Sequence, residues 1–331
     1  MDNREVVLKA EHVRTFFPIK GFAGQTVGSV KAVDDISLEL YRGETYGLVG
    51  ETGCGKSTLG RTLIRLLDAT EGTVTVDGVD IMKLKPGPLR AMRRRMQMVF
   101  QDPYTSLDGR MHVGDILTET LAIQRIGKKS ERMDMVLEIL DQVGLRAEHY
   151  FRYPHELSGG QRQRVGLARA ILLHPDIIVC DEPVSALDVS VRSQIINLLL
   201  DLQKKENLTY LFISHDMSVV RYTADRVGVM YLGHLVEEAV TDELFDQPRH
   251  PYTQVLLSAV PTPDPTTKRE RVVLEGELPS PIDPPSGCVF HTRCPYAQDL
   301  CRLQCPTLRE ITPDHKVACL RAEELGGDNG T

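Results

Sequence analysis

Gly50-Glu51-Thr52-Gly53-Cys54-Gly55-Lys56-Ser57 sets glycines, a lysine and a hydroxyl at the spacing of a phosphate-cradling loop. Glycines let backbone N–H groups converge on phosphate oxygens, and a helix start adds its positive dipole. Lys56 is expected to reach the β- and γ-phosphates and the Ser57 hydroxyl to ligate Mg²⁺, with Thr58 in the same turn. Asp181-Glu182 follow the apolar run Ile177-Ile178-Val179-Cys180, at the strand edge where parallel sheets bind ligands. Asp181 is expected to hold Mg²⁺ through a water, and Glu182 to orient or deprotonate a water attacking the γ-phosphate. His215 follows Tyr210-Leu211-Phe212-Ile213, so its imidazole is placed to touch the γ-phosphate or that water. Alone, the acidic pair could be a mere loop start and the glycines a chance turn; together they point to hydrolysis of a nucleoside triphosphate.

Such groups need a scaffold. Val6–Leu8, Val30–Val33, Ile36–Leu40 and Thr73–Val76, the last before the turn Asp77-Gly78, read as strands and hairpins. Gly47 to Leu67 reads as strand, loop and helix, with Leu59, Leu63 and Leu67 on one face. Residues 105–155 read as a helical insert, with apolar spacing at Met135, Ile139 and Val143. Ile177–Cys180 and Tyr210–Ile213 read as buried parallel strands separated by the helix Val191–Leu202, and Val227–Glu238 as a hairpin turning near Gly233. Pro261 to Pro285 reads as a linker.

The 331 residues suggest about two domains. A net charge of −7 gives no general attraction for nucleic acid, and the basic run Arg90, Arg93, Arg94, Arg95 is expected to be a solvated helix face. With no basic, apolar leader and no apolar stretch long enough to span a bilayer, the chain is expected to be cytosolic. Five of seven cysteines crowd into the tail. In a reducing compartment that points to metal or cluster ligation rather than disulfides. For Cys180 in its strand and for the loop residue Cys54, no special chemistry is expected.

Leu157-Ser158-Gly159-Gly160-Gln161 is similar to the signature of ATP-binding cassette (ABC) ATPases. Gln101 in Val99-Phe100-Gln101-Asp102-Pro103, the segment Ser185-Ala186-Leu187-Asp188 and His215 stand in that family's order, and the resemblance covers residues 6–240. It implies an α/β phosphate-loop (RecA-like) fold: a parallel-sheet core, an antiparallel β subdomain, a helical subdomain at about 103–165 and a Cys-rich C-terminal extension. The nucleotide-binding domain would be 1–255 and the extension 256–331. ATP and Mg²⁺ are the implied cofactors. Gly50, Thr52, Gly53, Cys54, Gly55, Lys56, Ser57 and Thr58 would bind ATP, with Phe17 (or its neighbour Phe16) stacked on adenine. Ser57, Gln101 and Asp181 would serve Mg²⁺, and Glu182, His215 and Gln101 catalysis. Ser158, Gly159, Gly160 and Gln161 form a second phosphate-binding nest, which with Asp188 would close over the ATP of a second cassette subunit, a paralogue or another copy.

Phe16-Phe17-Pro18-Ile19-Lys20, Gly28 to Val33, Glu182 to Ser190 and His250-Pro251-Tyr252-Thr253 resemble the ATPase subunits of bacterial oligopeptide and dipeptide importers, with nickel importers as close relatives. Asp108-Gly109 stands where Asn-Pro is usual, and Thr52 where Ser is common. The implied partners are two transmembrane permease subunits and, indirectly, an extracytoplasmic substrate-binding protein. The implied place is the cytoplasmic face of the membrane. Cys288, Cys294, Cys301 and Cys319, separated by five, six and seventeen residues, resemble the family's C-terminal extension and could hold a [4Fe–4S] cluster, hold zinc or stay free thiols, with Cys305 extra. A cassette acting on nucleic acid or ribosomes is the rival. Its chromosome type needs a long coiled coil between Lys56 and Leu157, where only about 100 residues without sustained heptads stand, and its translation type carries two cassettes. A regulatory cassette would lack Glu182 or His215.

Overall fold

Apolar runs without a polar face need cover on both sides. In the computed structural model, which describes residues 4–22, 24–260 and 276–325, two such runs and the strand Met96–Val99 form parallel strands. Contacts divide the chain into two units, one built from the described residues up to Glu5, Tyr41–Glu44 and Lys83–Ile213, the other from Val6–Leu40, Thr45–Met82 and the described residues from Ser214 onward. In the first unit Met96–Val99 pairs with Ile177–Asp181, and that strand with Thr209–Ser214, in a register setting Ile177 opposite both Met96 and Thr209. Parallel neighbours require crossover connections, and helices supply them. Along the chain, Pro103–Ser106, Val113–Ile123, Arg132–Gln142 and Gly159–Ile171 separate the first two strands, and Val189–Glu206 the second pair. The helical insert is therefore present, with 3-10 turns at Ala147–Phe151 and Pro154–Glu156. Helix Val189–Glu206 ends at Asn207, whose left-handed φ of 52° is a common helix stop. Arg90, Arg93 and Arg94 are exposed on helix Pro86–Arg95, as the solvated-face reading expects.

The second unit holds a four-stranded sheet in the order Thr26–Tyr41, Val6–Lys20, Glu71–Val76, Val79–Asp80. Its last three strands are antiparallel, and the final hairpin turns at Asp77-Gly78 with positive φ at both residues. In this unit Thr45–Val49 also pairs within a sheet, in parallel with Arg226–Tyr231, which turns at Leu232-Gly233 into His234–Val240. The tail adds His315–Val317 and Arg309–Thr312 to the edge of that sheet. The helix after the phosphate loop, Lys56–Leu63, is shorter than the leucine spacing suggests. The chain turns at Arg65, φ 52°, so Leu67 lies beyond the helix while Leu59 and Leu63 are buried on it. Of the linker expected at Pro261–Pro285, residues 261–275 lie outside the described residues; Pro281 accepts a backbone hydrogen bond from Lys31 at 3.0 Å. Among the described residues no helix is long and apolar enough to cross a membrane.

Two adjacent buried acids lock the tail strands in place. Glu237 Oε1 lies 2.7 Å from His315 Nε2 with both side chains fully buried, and accepts the backbone N–H of Arg249. Glu238 pairs with Arg226 at 2.7 Å and Lys316 at 3.1 Å, and accepts the Tyr46 hydroxyl at 2.9 Å. Removing one partner of such a pair costs about 3–5 kcal/mol, because it strands a buried charge.

Candidate functional site

The phosphate loop leaves strand Thr45–Val49 and enters helix Lys56–Leu63, in the second unit. Its shape demands glycine at two points: a Cβ on Gly50 would stand 2.1 Å from the Met230 carbonyl oxygen, and one on Gly55 2.0 Å from that of Ala32, both at positive φ. The cradle is thus closed by backbone, and the N–H groups of the helix's first turn have no partner within the helix. Lys56 is buried and folds back over the loop, its Nζ donating to the carbonyls of Gly50 at 2.7 Å and Glu51 at 2.9 Å. Thr52 and Gly53 are exposed at the tip, and Ser57 and Thr58 are half-buried at the helix start. Cys54 is buried, and burial pushes its thiol up against the opposing pull of Lys56. His215, also in this unit, is exposed between Ser214 and Asp216, whose carboxylate caps helix Met217–Thr223. Phe17 is 40% exposed and Phe16 half-buried.

In the first unit, Asp181 is fully buried at the end of its strand, and Glu182 follows with a left-handed φ of 45°, an uncommon conformation that costs energy and recurs at functional sites. Glu182 N–H donates to Ile213 O at 3.0 Å, and Gln101 Nε2 donates to Glu182 Oε2 at 3.0 Å. Gln101, Asp181 and Glu182 are therefore together. Ser158 caps helix Gly159–Ile171 in a reciprocal box with Gln161: Ser158 N–H donates to Gln161 Oε1 at 2.9 Å and Gln161 N–H to Ser158 Oγ at 3.3 Å. Ser158 and Gly159 are exposed, and His149 Nε2 lies 3.2 Å behind the Gln161 amide. A Cβ on Gly160 would meet Val191 Cγ1 at 2.5 Å. Asp188 stands exposed at the N-terminal boundary of helix Val189–Glu206, without a side-chain capping hydrogen bond.

Cys288, Cys294, Cys301 and Cys319 line one cavity of about 20 Å³, while Cys305 is exposed elsewhere. Burial pushes the Cys288 thiol up to about 12 and that of Cys294 up to about 11, with neighbouring thiols adding to the effect. All seven cysteines are free, and among the described residues no three His, Cys, Asp or Glu side chains are arranged to hold a metal ion. The four cysteines expected to hold a cluster or zinc are thus brought to one cavity.

Sequence reasoning missed what braces the loop. Arg293 grips the Glu51 carboxylate with both terminal nitrogens, at 2.8 and 3.2 Å, and the Tyr252 hydroxyl accepts the Glu51 N–H at 2.8 Å. Tyr252 lies in the first turn of helix Pro251–Ser258, held by His250 Nδ1, which accepts the Tyr252 N–H at 3.1 Å. Burial pushes the His250 imidazole down to about 4 despite nearby Glu237, which keeps that acceptor neutral. No spacing rule links positions 51 and 293. The one available signal is a charge in the loop that phosphate binding does not need.

Comparisons with known proteins point to one family. The ABC transporter family model matches residues 33–185, and that of the oligopeptide/dipeptide transporter C-terminal region matches residues 236–301. The oligopeptide transport ATP-binding protein AppF of Bacillus subtilis (strain 168) is 54% identical over 96% of this chain and 98% of its own length. Among solved structures, CbiO1 of Clostridium perfringens, part of the ABC transporter complex CbiONQ, is 26% identical at a TM-score of 0.63, over 73% of this chain and 91% of that one. The ATP-binding cassette MJ0796, solved as a dimer in a post-hydrolysis state with ADP and Pi, is 28% identical at a TM-score of 0.64, over 71% and 98%. With a glycine-closed phosphate loop, a buried Asp181 beside Glu182 and a capped signature helix in a chain so similar throughout its length, this protein belongs to the ABC transporter ATPases, in the branch that carries the oligopeptide/dipeptide transporter C-terminal region.

Proposed function

We propose that this chain couples ATP hydrolysis to peptide import through a membrane ABC transporter. The observation that carries the reading is the union, in one chain, of a cassette and the oligopeptide/dipeptide transporter C-terminal region. The nucleotide-binding part is taken as residues 1–255 and the extension as 256–331. Lys56 and the backbone of Gly50 to Thr58 hold the phosphates, and Phe17 stacks on adenine. Ser57, Gln101 and Asp181 would hold Mg²⁺, which neutralises charge on the β- and γ-phosphates when bound. Glu182 activates the attacking water, Gln101 orients Glu182 and His215 contacts the γ-phosphate. Ser158, Gly159, Gly160, Gln161 and Asp188 serve the nucleotide of a second cassette, either a paralogue or another copy. Two permease subunits receive the motion at the cytoplasmic face of the membrane, and an extracytoplasmic binding protein delivers cargo. Reconstitution with the permeases tests this: peptide-loaded binding protein is expected to stimulate ATP hydrolysis in proteoliposomes. Stimulation by nickel-loaded and not peptide-loaded receptor, or failure to co-purify with any permease, would overturn the peptide assignment.

Cys288, Cys294, Cys301 and Cys319 are assigned to a structural [4Fe–4S] cluster, with zinc as the alternative. What supports this is the single cavity they line. Burial raises the Cys288, Cys294 and Cys319 thiols, so a bound cation would be needed to keep them as thiolates. Anaerobic purification is expected to yield a brown protein with roughly four irons per chain, bleached by Cys294→Ser and unchanged by Cys305→Ser. A colourless protein with one zinc per chain selects the alternative, and a metal-free tail of undiminished protease resistance ends the ligation reading.

A further inference from the structure

We propose that Arg293, in the cysteine-rich tail, is a positioning residue for the phosphate loop: by pairing with Glu51 it neutralises a carboxylate inside the ATP cradle and fixes the loop's shape. The inference rests on the nucleotide reading of that loop. Residue 51 is held at three points. Its N–H donates to Tyr252, its carbonyl accepts from Lys56, and its carboxylate takes both arms of Arg293. The pair is shielded, with the Arg293 side chain 8% exposed and that of Glu51 28%, so the attraction is screened far less than at an open surface.

Tail packing delivers the guanidinium. Phe290 packs against both Tyr231 and Tyr252, ring centroids 5.1 and 5.4 Å away, and its carbonyl accepts the Arg293 N–H at 3.0 Å. The same turn is pinned to the cysteines, since Cys288 N–H donates to Cys301 O at 2.8 Å and His291 N–H to Cys288 O at 3.0 Å. A folded tail is thus a condition for a neutral loop. Without Arg293, Glu51 would sit as an unpaired anion against the polyanionic triphosphate, and a partly buried charge deprived of its partner is strongly unfavourable.

Titration of the full-length chain with a fluorescent ATP analogue, alongside steady-state hydrolysis, tests the proposal. Arg293→Met is expected to weaken nucleotide affinity by about tenfold or more, the loss appearing in KM for ATP rather than in kcat. Arg293→Lys, which keeps the charge but not the fork, should recover part of it. Adding Glu51→Gln to Arg293→Met removes the stranded anion and should bring affinity back by at least about fivefold. That rescue separates neutralisation from a purely structural role. Wild-type affinity in Arg293→Met, or a double variant no better than the single one, overturns the proposal. A wild-type chain that fails to bind the analogue, or one whose affinity Lys56→Ala leaves untouched, overturns the nucleotide reading instead.

Discussion

Glu182→Gln is expected to bind ATP as the native chain does and to hydrolyse it about 10²-fold more slowly or worse. The substitution keeps size and shape, and an amide oxygen can still accept the bond Gln101 now gives at 3.0 Å. The backbone at 182 is fixed independently by Ile213 O and by the preceding buried strand, so removing the charge should not move the chain. What disappears is the base. With binding intact and turnover lost, the closed, ATP-bound dimer should accumulate. Lys56→Ala should do the opposite, weakening binding itself, since the buried amine organises the loop carbonyls that border the phosphates. Near-normal steady-state hydrolysis by Glu182→Gln in the assembled transporter would remove Glu182 from its assigned role.

The parts of this protein that could be read from its sequence are those whose cause is local. Ile177–Cys180 and Tyr210–Ile213 are apolar along their whole length and could only be buried, and the Val227–Glu238 hairpin announces itself through Gly233. Gly50 and Gly55 are legible because their role is to lack a side chain. Legibility fails where the cause lies far along the chain. Leu67 fits the helical period, but the chain leaves the helix at Arg65, a residue with no turn preference that marks it. Strands Arg309–Thr312 and His315–Val317 are short and polar, and nothing in them alternates. They form because Glu237 and Glu238 of the neighbouring strand are buried and demand His315 and Lys316. The division into two units cuts the sequence five times and has no compositional trace. The tail cysteines show a limit of another kind. Their crowding could be counted, but whether their thiols are drawn round an ion depends on angles and distances that spacing does not encode.

Ser158→Arg is expected to abolish hydrolysis at the site containing the other chain's Lys56, not its own. Ser158 caps a 13-residue helix from an exposed position, with Gly159 exposed beside it, so the nest of N–H groups there is open to an outside phosphate. Arginine would lose the capping hydroxyl and fill the approach. Two arrangements of the same two substitutions, each in a dimer of tagged chains, tell a shared site from a self-contained one. With Ser158→Arg in one chain and Lys56→Ala in the other, both lesions fall on a single composite site, and the second site should still turn over. With both in one chain, each composite site carries a lesion, and hydrolysis should fall by about 10²-fold or more. Because the two dimers hold the same substitutions in the same number, differences in folding or expression cancel between them. The reverse ranking, with activity surviving only when both lesions share a chain, would mean that each chain closes its signature over its own nucleotide.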